Sequence, residues 1–143
     1  MKQPTAIFSA PVFIEKIDLD RVQLVSETYV PSYLSGIETT MGSDQFTDES
    51  YRYVHDLIEE CIGQFADDPF YLGQVWRNRY RPTDWQDPHI HSGAQWSFII
   101  YETVDISRTV FMNPARKVIK NQSGMYASTI PMDFVPNAPQ GSI

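Results

Sequence analysis

The stretch RYRPTDWQDPHIHSGAQWSFIIYE, Arg79 to Glu102, decides how the second half of this 143-residue chain is read. Two of the chain's three histidines, His89 and His91, stand either side of Ile90, and the apolar run Phe98-Ile99-Ile100 follows. On a strand, side chains alternate, so the two histidines share a face with their Cα atoms about 7 Å apart. Imidazoles so placed can converge on one metal ion. The same pair also fits capping or core hydrogen bonding, because His-x-His alone is a weak motif. Its neighbourhood has to separate the two readings.

Upstream, YLGQVWRNRYR alternates as a strand does. Gln74, Trp76, Asn78 and Tyr80 fall on one face, with Trp76 and Tyr80 expected to point inward. Arg77, Arg79 and Arg81 fall on the other, expected to be a solvated outer surface. Downstream, HIHSGAQWSFIIYETV reads as the next strand or pair of strands, and SRTVFMNP as another ending at Asn113-Pro114. ARKVIKNQSGMYASTI is polar and ambiguous. MDFVPNAPQGSI gives a short strand and then a Pro and Gly turn.

The first half reads differently. Thr47 is a good N-cap, Asp48 and Glu49 complement the helix dipole, and an apolar stripe runs through Tyr51, Val54, Leu57, Ile58, Cys61, Ile62 and Phe65. His55 lies on the opposite face and is expected to be solvated. Cys61 lies on the stripe and is expected to be a small core residue, not a nucleophile. From Asp18 or Asp20, RVQLVSETYV places Val22, Val25 and Tyr29 at helical spacing, ended by Pro31. AIFSAPVFIEKI suits a short edge strand. Helical support over 18–66 followed by a β core over 70–143, in a single domain spanning 1–143, makes an α+β protein.

Bulk composition sets limits on function. Apolar residues make up 42% and aromatics 13%, enough for a packed core. Eleven Lys and Arg against eighteen Asp and Glu leave a net charge of −7, which argues against a nucleic-acid or anionic-membrane partner. The single cysteine fits a reducing compartment. With no signal peptide or apolar span in view, the expected location is cytoplasmic.

RYRPTDWQDPHIH resembles the segment of prolyl-hydroxylase-type iron and 2-oxoglutarate dependent oxygenases in which a strand tyrosine precedes Pro-His-x-Asp. There the histidine falls nine residues after the tyrosine, as His89 follows Tyr80. Ser97 and Tyr101 keep the spacing of the next strand's Thr or Ser and Tyr. VWRNRY and the double histidine are also similar to oxygenase-like proteins of phage and marine bacterial genomes, where His-x-His often replaces His-x-Asp; a phage origin would place the protein in a host cytoplasm. The resemblance spans roughly Phe70 to Pro114. It implies N-terminal helices on a double-stranded β-helix, the jelly-roll or cupin-like core. It also implies Fe(II) bound by His89 and His91, with Tyr80 donating to the 2-oxoglutarate carboxylate. 2-Oxoglutarate and dioxygen would be the small-molecule co-substrates, and the primary substrate is unspecified.

His91 departs from the family pattern, since a neutral imidazole stands where a carboxylate completes the usual facial triad. Asp87 is a weaker substitute ligand. The family's distal histidine and basic residue have no counterpart after Pro114, so the chain reads as the N-terminal portion of such a domain, with those groups expected beyond Ile143. Arg108, Arg116 and Lys117 have no spacing that selects them for the oxoacid. Two other readings stay open. One is a cupin-like metal-binding protein that does not use 2-oxoglutarate, with Gln95 near the usual Glu position. The other is a catalytically silent β-sandwich interaction module.

Overall fold

The computed structural model describes residues 11–32, 36–42, 44–65, 69–104, 109–113 and 133–143. Expectations for Ala6–Ala10, for Arg108, Arg116 and Lys117, and for the ARKVIKNQSGMYASTI segment fall outside these residues. Among the described residues, one α-helix, α1 (Asp48–Ile62), accompanies five short strands: β1 (Val30–Pro31), β2 (Glu38–Thr39), β3 (Asn78–Arg79), β4 (Phe111–Met112) and β5 (Asp133–Phe134). The fold is α+β. The strands form an antiparallel sheet ordered β1-β2-β3 and an antiparallel pair β4-β5, the latter with Phe111 opposite Phe134.

α1 forms where its sequence says it should. Thr47 is extended, and its side-chain oxygen accepts the Ser50 N–H at 3.3 Å, satisfying one of the four N-terminal amides that have no partner within the helix. The apolar stripe then buries Val54 and Ile62 fully and Tyr51, Leu57, Ile58 and Cys61 in part, whereas Phe65, past the helix end, is exposed. Val54 joins Ile17, Val22 and Phe46 in the buried core, and Leu24, Leu72, Phe98, Ile100 and Ile143 pack against that cluster. Phe46 stacks on Phe98 with ring centroids 6.4 Å apart. The apolar run that follows the histidine pair is therefore anchored under α1.

The helix expected from Asp18 or Asp20 to Val30 is replaced by a single 3-10 turn, Leu19–Arg21, capped by Asp18 Oδ1. Val22, Val25, Thr28 and Val30 are β-branched and lose rotamer freedom in a helix. Distant partners outbid the weak periodicity. Gln23 N–H donates to the Ser50 hydroxyl at 2.8 Å, Val25 N–H donates to the Gln45 carbonyl, and Leu24 bridges to Phe46. The 18–66 region is consequently not wholly helical, since it contributes β1 and β2 to a sheet completed by β3.

The expected strand or strand pair over residues 89–104 also does not form as such. No strand is assigned between His89 and Val104. Tyr101 instead bonds through its backbone to Gly141 and Ser142, which also pair with the Glu15–Ile17 segment. Gly141 adopts φ +74, the left-handed conformation that glycine enters without steric cost, and so turns Gly141–Ile143 in between its two neighbours. Of the edge strand expected in the N-terminal segment, the described residues show only an isolated antiparallel bridge, Lys16 opposite Ser142. The short strand and turn expected in MDFVPNAPQGSI appear as β5 and the turn at Gln140–Gly141.

Candidate metal centre

His89 and His91 leave the anchored segment on an exposed loop and still turn toward each other. Their Nε2 atoms are 3.2 Å apart and their rings stack with centroids 5.1 Å apart. His89 Nδ1 donates to the Asp87 carbonyl at 2.8 Å. A carbonyl can only accept, so Nδ1 carries a proton and Nε2 is the nitrogen turned toward His91. Metal-binding histidines commonly have their other nitrogen fixed in this way. A first-row ion about 2.1 Å from each nitrogen, with an angle of about 90–110° between them, spaces the nitrogens about 3.0–3.4 Å apart. The observed separation lies inside that range. Partial burial, and then the neighbouring His89, lower the His91 pKa from its ordinary value, which favours the neutral imidazole that ligates a metal.

Trp76 packs against His91 at a centroid separation of 5.3 Å, covering one side of the pair, while Ile90 between them is 86% exposed. The alternation expected of a strand is thus kept in direction without a ladder to hold it. Asp87 supplies its backbone carbonyl to His89. No set of three ligand-type side chains among the described residues includes the histidine pair. The donor set as it stands is two imidazoles, which suits iron, nickel, copper or zinc.

Tyr80 does not point into the core as expected. The residue is 38% exposed, and its hydroxyl donates to Gln86 Oε1 at 2.9 Å. Partial burial raises the phenol's pKa, opposed by a hydrogen bond with Asn78. The strand that should have turned it inward is only two residues long. Tyr80 is the last residue before the turn in which Arg81 N–H donates to Asp84 Oδ2.

The arginine face is not uniformly solvated either. Arg77 is largely buried and bridges Glu102 (2.8 Å) and Glu27, and its backbone N–H donates to the Thr40 hydroxyl. Arg79 lies over the Tyr29 ring at 4.0 Å. Sequence alternation missed this, because the two glutamates that draw Arg77 inward lie far from it along the chain. His55, expected to be solvated, is half-buried. It stacks on Phe70 at 4.4 Å and its Nε2 donates to the Phe70 carbonyl at 3.3 Å. With Asp56 and Glu59 it forms a group whose ligand atoms lie within 4.8 Å of one another on the outer face of α1. Cys61 is half-buried, and its thiol is pushed up by burial first and then by Glu15 and Glu60, in keeping with a residue that packs.

Comparison with known proteins finds no matching family model, no matching curated protein and no matching solved structure. Among the described residues, no helix is long and apolar enough to cross a membrane.

Proposed function

We propose that His89 and His91 hold Fe(II) in a 2-oxoglutarate-dependent dioxygenase built on a double-stranded β-helix. One observation carries the reading: two imidazole Nε2 atoms 3.2 Å apart, one with its tautomer set by the Asp87 carbonyl. The bite distance and the donor chemistry both fit such an ion. When bound, iron would let dioxygen decarboxylate the oxoacid to succinate and carbon dioxide while the second oxygen atom enters a substrate C–H bond as a hydroxyl. The protein's own share is positioning. Asp87 orients His89, Trp76 shields one side of His91, and Tyr80, released from Gln86, would donate its phenol to the oxoacid carboxylate.

A second reading is favoured by the same tyrosine. With its hydroxyl on Gln86 and Arg77 held by Glu27 and Glu102, a cupin-like metal site that does not use the oxoacid fits the ligand pair equally well. Anaerobic Fe(II) titration and succinate assay of the chain separate the readings. The dioxygenase reading requires uptake of one equivalent of Fe(II), succinate formation, and loss of both in His89→Ala, with His91→Ala weakening uptake by at least about tenfold. Uptake that His89→Ala abolishes, with no succinate, selects the cupin-like site. A chain that takes up neither Fe(II) nor Ni(II) is an interaction module, and the ligand assignment fails.

A further inference from the structure

The outer face of α1 carries a second set of ligand-type side chains, separate from the histidine pair. His55, Asp56 and Glu59 each bring one ligand atom to within 4.8 Å of the other two. His55 and Glu59 stand four apart on the helix, the spacing that sets two side chains one turn apart on the same face. The imidazole is the fixed member. Its ring lies flat on Phe70, with centroids 4.4 Å and planes 5° apart, and stacks with Tyr51 at 6.0 Å. Its Nε2 donates to the Phe70 carbonyl, so Nδ1 is the nitrogen left for a further partner. Nδ1 stands 3.7 Å from Asp56 Oδ1, beyond hydrogen-bond reach, and makes no hydrogen bond among the described residues. Metal-ligating histidines are held in the same way, by a carbonyl on the nitrogen that faces away from the ion.

We propose that His55, Asp56 and Glu59 bind a zinc-class divalent ion, with His55 Nδ1 and one oxygen of each carboxylate as ligands and water in the fourth position. An ion about 2.1 Å from each donor draws the donors to about 3.0–3.4 Å from one another, so the carboxylates must close in by about an ångström. The Asp56 side chain is 79% exposed against 24% for His55, which leaves the acid room to move toward an anchored imidazole. The donor set selects the ion. Mg(II) and Ca(II) take oxygen ligands and would leave the imidazole unused, whereas zinc accepts nitrogen and oxygen together. Fe(II) lies lower in the first-row order of affinity, so the one equivalent taken up by the histidine pair should not fill this site. Because His55 also holds the Phe70 carbonyl, an ion here would clamp the chain after the helix onto α1. The inference stands apart from the reading of the histidine pair.

The test is a titration of the full chain with zinc chloride, followed by amide and imidazole-nitrogen NMR, which reads His55 apart from His89 and His91. Zinc should move the His55 Nδ1 resonance and the amides of Asp56 and Glu59 saturably. Glu59→Gln keeps the size of an exposed side chain and should weaken that response by about tenfold or more, leaving the response of His89 and His91 as it was. Glu60→Gln removes the same charge one residue further on and should change the affinity by less than about twofold. The proposal is overturned if zinc moves only His89 and His91, or if the His55 response falls on Nε2 instead of Nδ1. Equal losses in the Glu59 and Glu60 variants would overturn it too, since they would mark a general attraction to an acidic face. So would magnesium chloride that saturates the same resonances at the same concentration.

Discussion

The Cys61 thiol shows how far one side chain's surroundings set its chemistry. It stands on the inner half of α1, half-buried, and burial together with Glu15 and Glu60 holds its pKa above the ordinary 9.0. The thiolate is the nucleophile, so a raised pKa means little thiolate near neutrality. We expect iodoacetamide to alkylate Cys61 more slowly than a free thiol at pH 8 and the rate to climb only above pH 9. Glu60→Gln should speed the reaction by removing one repelling charge, and a rate equal to that of free cysteine would contradict the burial account. This residue was readable in the sequence because its environment is set by helical spacing. The histidine pair was also readable, since two positions only two apart need little else to approach. The Asp44 carboxylate's role was not: its Oδ1 accepts the Ser26 N–H from eighteen residues away, a contact that local pattern does not show.

At the scale of elements, α1 carries most of the order, and its two ends can be tested separately from its middle. Thr47→Ala removes the side-chain acceptor for Ser50 N–H and should cost about 1 kcal/mol. Val54→Ala opens a cavity at a fully buried position and should cost about 2–3 kcal/mol, read from urea midpoints at constant slope. A Val54 cost no larger than the Thr47 cost would mean that α1 does not sit on the core as described. Ser50 supplies a feature that helical periodicity hides. It is 2% exposed, and its hydroxyl accepts from Gln23 N–H while donating to the Arg21 carbonyl, tying the 3-10 turn to the helix. A polar residue on the apolar side reads as a flaw in the stripe until its partners are known. The same tie explains why the expected helix after Asp18 stops at one turn: the backbone of 23–25 bonds to Ser50 and to residues 45–47 instead of continuing the turn.

For the whole molecule, long-range polar links matter as much as the small core. Arg77 joins Glu27, before β1, to Glu102, after the histidine segment, while its amide bonds Thr40 next to β2. Truncating it leaves Glu102 half-buried without its partner, so Arg77→Ala should lower global stability by about 1–3 kcal/mol. Arg79→Ala, at a more exposed position, should cost less than about 1 kcal/mol. Equal costs for the two would show that Arg77 is not a bridge. The α+β class was legible because it rests on local patterns, a capped helix followed by alternating segments. The pairing was not, because two-residue strands carry almost no register information and their partners are chosen by contacts across the chain.

The rung made by Gly141–Ile143 brings these distances to their extreme. Glu15 and Ile143 exchange two backbone hydrogen bonds of 3.0 Å, and Tyr101 closes the other side through Gly141 and Ser142. Almost the whole length of the chain must be looped before that pairing can form, and loop-closure entropy opposes it until Ile143 packs against the core cluster that holds Ile17. Kinetically, α1 and its neighbours are the early part and the Glu15–Ile143 rung the late part. Refolding should therefore be slow for a domain of this size, with helical signal returning before the amides of Ile17, Tyr101 and Ile143 gain protection from exchange.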